Sequence, residues 1–152
     1  HNPITVDHTI LRQSITPSLL NLLAANRHHE LPQRVYELGT VVRDHHNAER
    51  MGWACAEVGT GFTAAKGMAE ALLRDLGAFS REIDVSYQPL TESDGGPYLL
   101  GRGAKVMVAG EWVGCCGEID PRVSEQFGLK VPIHCGEFDV DALGRLIPDP
   151  IL

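Results

Sequence analysis

The sequence predicts an α+β domain built on a mainly antiparallel sheet. Three observations carry that reading. Runs rich in β-branched and aromatic residues recur along the chain, several with alternating polarity and joined by short turn segments. Helical segments with apolar residues at i, i+3, i+4 spacing are inserted between those runs. The regular strand–helix alternation of a doubly wound fold is absent.

The first element is a helix in TPSLLNLLAANRHHELP, where Thr16 is suited to cap and Pro17 to open the first turn. Leu19, Leu22, Leu23 and Asn26 fall on one face, with Leu20 beside them, and Pro32 ends the segment. RVYELGTVVRD reads as a strand with Val35, Glu37, Gly39, Val41 and Arg43 on one face and Tyr36, Leu38 and Val42 on the other. DHHNAER reads as a polar connection to an antiparallel partner strand in MGWACAEVG. The strongest helical stripe is Ala65, Met68, Ala69, Leu72, Leu73 and Leu76, capped by Thr63 and closed by Gly77. Gly67 inside it costs about 1 kcal/mol against alanine, which suggests close packing on the sheet.

EIDVSYQP then reads as a strand and TESDGGP as a loop. YLL and AKVMVAG are two further strands, and EWVGCCGEI completes a hairpin turning near Ala109 and Gly110. DPRVSEQFG is a short helix with Asp120 as cap, Pro121 at its start and Gly128 at its end. IHCGEFDV is the last strand, followed by at most a helical turn in DALGRL.

The bulk numbers narrow the function classes. A formal charge of −7 argues against this chain being the main grip on a nucleic-acid backbone, which needs clustered lysine and arginine. No run approaches the ~20 apolar residues of a membrane span, and no signal-peptide pattern opens the chain. Cys55, Cys115, Cys116 and Cys135 match no C-x-x-C framework and read as free thiols in a reducing, cytoplasmic setting. The whole of residues 1–152 reads as one domain, and its opening HNPITVDH suggests a piece excised from a longer protein.

Candidate chemistry is sparse. Cys115 and Cys116 are neighbours in a strand, so they point to opposite faces and cannot readily grip one metal ion. His28–His29 and His45–His46 lack the i, i+4 spacing that sets two imidazoles on one helix face and read as solvated loop residues. GTGF at Gly59 and GRGAK at Gly101 lack the full phosphate-binding patterns and read as turns. Glu118 and Asp120 end a strand, and capping alone accounts for Asp120.

The ordered residue string is more informative. Leu11, Arg12 and Ser14 lead through Pro17 to a leucine-rich helix. Asn26 lies near its end, followed by Pro32, Arg34, Tyr36, Glu37 and Gly39 in a P-x-R-x-Y-E-L-G strand. With Asn2–Pro3 at the entry, FTAAKGMAEALLRDLG, GRGAKVMVAGEWVGCCGEIDPRVSEQFGL and GEFDVDAL follow in order. This series resembles the C-terminal part of the phenylalanyl-tRNA synthetase β subunit of the archaeal type, over nearly the whole chain. The resemblance implies a class II synthetase-like antiparallel sheet flanked by helices. It also implies a catalytic-like module that supports the α subunit in an αββα heterotetramer in the cytoplasm. Phenylalanine, ATP, magnesium and tRNA are then handled by the holoenzyme, with no cofactor or metal held by this domain.

Two positions decide whether the module keeps chemistry of its own. Class II sites hold ATP phosphates with an arginine in a strand–loop–strand motif and a second in a Gly-x-Gly-x-x-Arg motif. Arg43 sits at the first position, but DHHNAERMGW lacks the continuation of active relatives. Arg145 sits at the second, with Val140 and Ala142 in place of the two glycines. Side chains there should obstruct close approach of a nucleotide. No catalytic, cofactor-binding or metal-binding residue is therefore assigned, and no functional pocket is expected above the WVGCCGEIDP floor. A different class of function would be a retained small-molecule site for an adenylate or amino acid, acting as a sensor or weak enzyme and lined by Arg43, Glu37 and Glu57. Metal binding through cysteine and histidine is a third reading.

Overall fold

The computed structural model describes residues 12–148. Asn2, Pro3 and Leu11 of the sequence pattern lie outside them. Six strands form one sheet in the order β1–β2–β6–β5–β4–β3, with every neighbouring pair antiparallel. They are β1 (Gln33–Arg43), β2 (His46–Ala56), β3 (Val85–Pro89), β4 (Tyr98–Val108), β5 (Glu111–Ile119) and β6 (Ile133–Asp139). Four helices flank them: α1 (Thr16–Ala25), α2 (Phe62–Asp75), α3 (Pro121–Gln126) and α4 (Val140–Leu146).

The alternation of strand side chains divides the apolar residues into two cores, one on each face of the sheet. On one face Trp53, Val106, Cys116 and Phe138 pack with Ala65, Ala69 and Leu73 of α2 and Leu143 of α4. On the other, Ala54, Ile119, Ile133 and Cys135 pack with Leu19, Leu20 and Leu23 of α1. The middle strands leave no room for side chains at three glycines. A Cβ on Gly136 would fall 2.1 Å from Trp53 Cη2, and one on Gly114 would fall 2.4 Å from the Glu137 carbonyl oxygen. One on Gly117 would fall 2.5 Å from the Arg102 carbonyl oxygen. Trp53 therefore lies across Gly136, stacks on Phe138 with ring centroids 6.0 Å apart, and donates from Nε1 to His134 Nδ1 at 3.2 Å. Accepting that bond requires His134 to be neutral, and burial lowers its pKa in the same direction.

Several expectations are corrected. DHHNAER is not a long polar connection: β1 and β2 meet in a tight turn at Asp44 and His45, both with positive φ (49° and 66°), and residues 46–50 are strand. Polar side chains on an exposed hairpin hid the continuing pairing, which runs in register to Arg43↔His46. YLL and AKVMVAG form one strand, β4, and Gly101 (φ 83°) marks an irregularity within it rather than a turn between strands. Leu22 is 44% exposed, so the buried stripe of α1 is Thr16, Leu19, Leu20 and Leu23. Thr16 is the first residue of α1 and not its cap, and α2 is preceded by Gly61 rather than capped by Thr63.

Gly67 also departs from expectation. A Cβ there would have no heavy atom within 4 Å, so the residue marks no close packing within the described residues. Gly67→Ala is expected to stabilise the domain by about 0.5–1 kcal/mol through helix propensity and lost unfolded-state freedom, read as a rise in the urea midpoint. A lowered midpoint would show that the open face of α2 is not tolerant there.

Candidate functional site

The face of the sheet carrying α1 holds a cleft of about 650 Å³ above Cys115, reaching from the end of β1 to α3. Its apolar wall includes Leu20, Leu90, Tyr98, Val123 and Phe127, and its charged lining is Arg43, Arg50, Asp94, Glu137 and Asp139. A cleft is thus present where the sequence led to the expectation of no functional pocket.

Its floor is dominated by Glu137, only 4% exposed. Oε1 accepts from Ser14 Oγ (2.7 Å), the Ile15 N–H (2.9 Å), the Thr16 N–H (3.0 Å) and Thr16 Oγ1 (3.0 Å). Oε2 accepts from Arg50 Nε at 2.8 Å, and Arg50 is itself 8% exposed. Burial alone would push the Glu137 carboxyl up. The Ser14 hydrogen bond, the Arg50 charge and bond, and the Ile15 N–H outweigh burial and hold it below the usual glutamate range. A carboxylate from β6 thus performs the capping that Thr16 was expected to perform, satisfying the free N–H groups at the start of α1.

The other acidic groups nearby have comparable duties. Asp120 accepts from the Arg122 N–H at 2.9 Å at the start of α3 and pairs with the Arg122 guanidinium at 2.7 Å. Asp139 Oδ1 accepts from the Ala142 N–H at 3.0 Å at the start of α4. Glu118 pairs with Arg102 at 3.3 Å, and its Oε1 lies beside Gly61, the residue before α2, 2.9 Å from where a Cβ would stand. Asp94 accepts from the Thr91 N–H at 2.7 Å and pairs with Lys105 at 3.2 Å.

The residues proposed to line a small-molecule site do not come together. Arg43 lines the cleft, with Nε donating to the Gln13 carbonyl at 3.0 Å. Glu37 instead pairs with Arg12 at 2.8 Å. Glu57 lies beyond β2, where it accepts from the Cys55 thiol at 3.9 Å on the opposite face of the sheet. Arg145 is on the outer side of α4, paired with Glu111 and away from the cleft. Val140 and Ala142 form the first turn of α4, so the chain curls directly into a helix there.

Cys115 and Cys116 lie on opposite faces, as their adjacency requires. Cys115 is half-buried in the cleft; Cys116 is fully buried in the other core, where burial pushes its thiol up to about 12. His28, His29, His45 and His46 are exposed. Among the described residues no group of three or more His, Cys, Asp or Glu is placed to hold a metal ion.

Sequence reasoning missed Glu137 and Arg50. The available signal was a charged residue in IHCGEFD, a strand whose other residues pack on both faces, since a buried charge demands a partner. Arg50 was hidden in a stretch read as a polar connection.

Comparison with known proteins gives a consistent answer. A family model described as the phenylalanyl tRNA synthetase beta chain CLM domain matches residues 1–140. The phenylalanine–tRNA ligase beta subunit of Methanopyrus kandleri is 42% identical over 149 residues, covering 93% of this chain and 24% of that protein. The corresponding subunit of Pyrococcus horikoshii is 37% identical over 151 residues, covering 95% and 26%. That of Archaeoglobus fulgidus is 36% identical over 141 residues, covering 93% and 24%. The chain spans about a quarter of the length of these relatives. Since the match takes in all six strands and the Glu137 contacts that join β6 to α1, the chain belongs to the phenylalanyl-tRNA synthetase β-chain CLM-domain family.

Proposed function

We propose that this chain is a non-catalytic structural module of a phenylalanyl-tRNA synthetase β subunit. In this reading it has a class II synthetase-like fold, packs against the α subunit, and holds that subunit's active site in shape. The holoenzyme, a cytoplasmic αββα heterotetramer, carries out the ATP- and magnesium-dependent joining of phenylalanine to tRNA. The all-antiparallel sheet with helices on both faces supports the fold assignment, and the family supports the setting.

The observation that carries the non-catalytic reading is the Glu137 hub. Phosphate transfer chemistry needs several aligned charges and a metal. Here Arg50 is held by Glu137, and Arg145 is held by Glu111 outside the cleft. Arg43 is left without an aligned second arginine.

The chain alone is expected to show no phenylalanine-dependent exchange between pyrophosphate and ATP. In an assembly of α with full-length β, Arg145→Ala should leave the kcat for aminoacylation within about twofold, a change below ~0.4 kcal/mol in the barrier. Removing this module from full-length β should abolish co-elution with α in gel filtration. Exchange by the isolated chain, or loss of turnover in the Arg145→Ala assembly with normal assembly retained, would contradict the reading.

A further inference from the structure

The cleft above Cys115 has a size and a lining that the supporting role does not require. At about 650 Å³ it falls within the range of small-molecule sites. Its walls are of two kinds. Leu20, Leu90, Val123 and Phe127 make one side apolar, while Arg43 stands at the end of β1 among the polar lining. Arg43 and Cys115 both line this cleft.

A count of donors and acceptors selects the chemistry. The three carboxylates of the lining are already engaged. Glu137 accepts four bonds from the start of α1 and one from Arg50, Asp94 accepts from Thr91 and pairs with Lys105, and Asp139 accepts from Ala142. Arg50 has its carboxylate in Glu137. Arg43 differs: one of its five N–H donors reaches the Gln13 carbonyl, and among the described residues no carboxylate pairs with it. Arg50 also bonds through Nε, but Glu137 offsets its charge, so the uncompensated positive charge of the lining is at Arg43, a guanidinium suited to a two-oxygen anion.

The same lining sets an upper limit on the ligand's charge. Two cations and three carboxylates face the cleft, so a polyphosphate would meet net repulsion, whereas one negative charge can sit on Arg43. The geometry points to a binding site for a small apolar monocarboxylate, its carboxylate on Arg43 and its hydrocarbon body against the wall of Leu20, Val123 and Phe127. The site binds and does not transform, since the Ser14 hydroxyl and Glu137 carboxylate in its lining are committed to the start of α1 and to Arg50, and it is independent of the module's supporting role.

Cys115 supplies the means of locating the ligand. It is the one cysteine of the four that is not buried, so alkylation of the native chain should mark this cleft. The probe is 3-phenylpropanoate, with 3-phenylpropylamine as its cationic counterpart and ATP as the polyanion. Calorimetry should show millimolar or tighter binding of 3-phenylpropanoate alone, and the same acid should slow iodoacetamide alkylation of Cys115 severalfold. Arg43→Gln should weaken binding about tenfold, the ratio expected for losing a charge-assisted pair. Arg43→Lys should recover part of that loss. Absence of both heat and protection at ~10 mM acid, weaker than any specific site of this kind, would overturn the proposal. So would equal binding of the amine, tighter binding of ATP, or unchanged affinity in Arg43→Gln.

Discussion

Glu137→Gln should lower the unfolding free energy of the domain by about 3–5 kcal/mol, the usual consequence of removing one partner from a buried ion pair. The amide keeps the size of the side chain and an oxygen for the N–H groups of Ile15 and Thr16. It does not keep the charge that offsets Arg50, and Arg50, 8% exposed on the cleft floor, regains little water in its place. The loss should reach α1 first, because its first turn depends on the same carboxylate. Helix α1 supplies Leu19, Leu20 and Leu23 to one of the two cores, so its release would remove the cover from that face of the sheet.

The pH dependence follows with a definite sign. Glu137 has a folded-state pKa below its ordinary value. Its contribution is therefore complete above the unfolded value near 4.5 and is lost as pH falls through the folded one. Equilibrium unfolding between about pH 5 and pH 2 should show wild-type stability falling steeply. The slope should be shallower in Glu137→Gln, which has no such carboxyl to protonate. Parallel acid limbs in the two proteins would mean that Glu137 is not the group responsible.

Gly114→Ala should be the other severe change, at about 3 kcal/mol or more, the upper end of overpacking effects. The added Cβ would stand 2.4 Å from the Glu137 carbonyl oxygen and 2.6 Å from Phe138 Cδ1. Phe138 is fully buried, and the carbonyl belongs to the neighbouring strand, so neither can yield without parting β5 from β6. That seam lies beneath both the Glu137 hub and the Trp53–Phe138 stack. The same glycine-to-alanine replacement at Gly67 is expected to have the opposite sign. The pair of variants thus separates packing from backbone freedom in urea titrations. Near-wild-type stability of Gly114→Ala would show that the seam can open at little cost.

Much of this architecture was legible in the sequence. The hairpin of β4 and β5, the opposite orientation of Cys115 and Cys116, and the start of α3 at Asp120–Pro121 all follow from period-two alternation and capping chemistry. Those signals are local, and local signals survive when only a sequence is read. Failures occurred where tertiary structure supplied what the local sequence lacked. Thr16 has the chemistry of a cap, but Glu137, more than a hundred residues away, takes the position. His46 to Arg50 carry loop-like polarity, yet pairing with β1, joined at Arg50 by pairing with β6, makes them strand. The cleft was least legible, because it is assembled from α1 and the segment before it, β1, β2, β4, β5, β6, α3 and the segment between β3 and β4. The lack of glycines at Val140 and Ala142 pointed to a closed surface, but those residues turn away into α4.

The central claim is that the charges on the cleft floor are there to hold α1 on the sheet. A double-mutant cycle on unfolding free energy, with Arg50→Gln, Glu137→Gln and the pair combined, tests it most directly. Two glutamines can hydrogen-bond each other while leaving an oxygen for Ile15 and Thr16, so the double variant should be more stable than either additive loss allows. The expected coupling is about 2 kcal/mol or more, within the range for groups in direct buried contact. Single variants that unfold like wild type and combine additively would contradict the account.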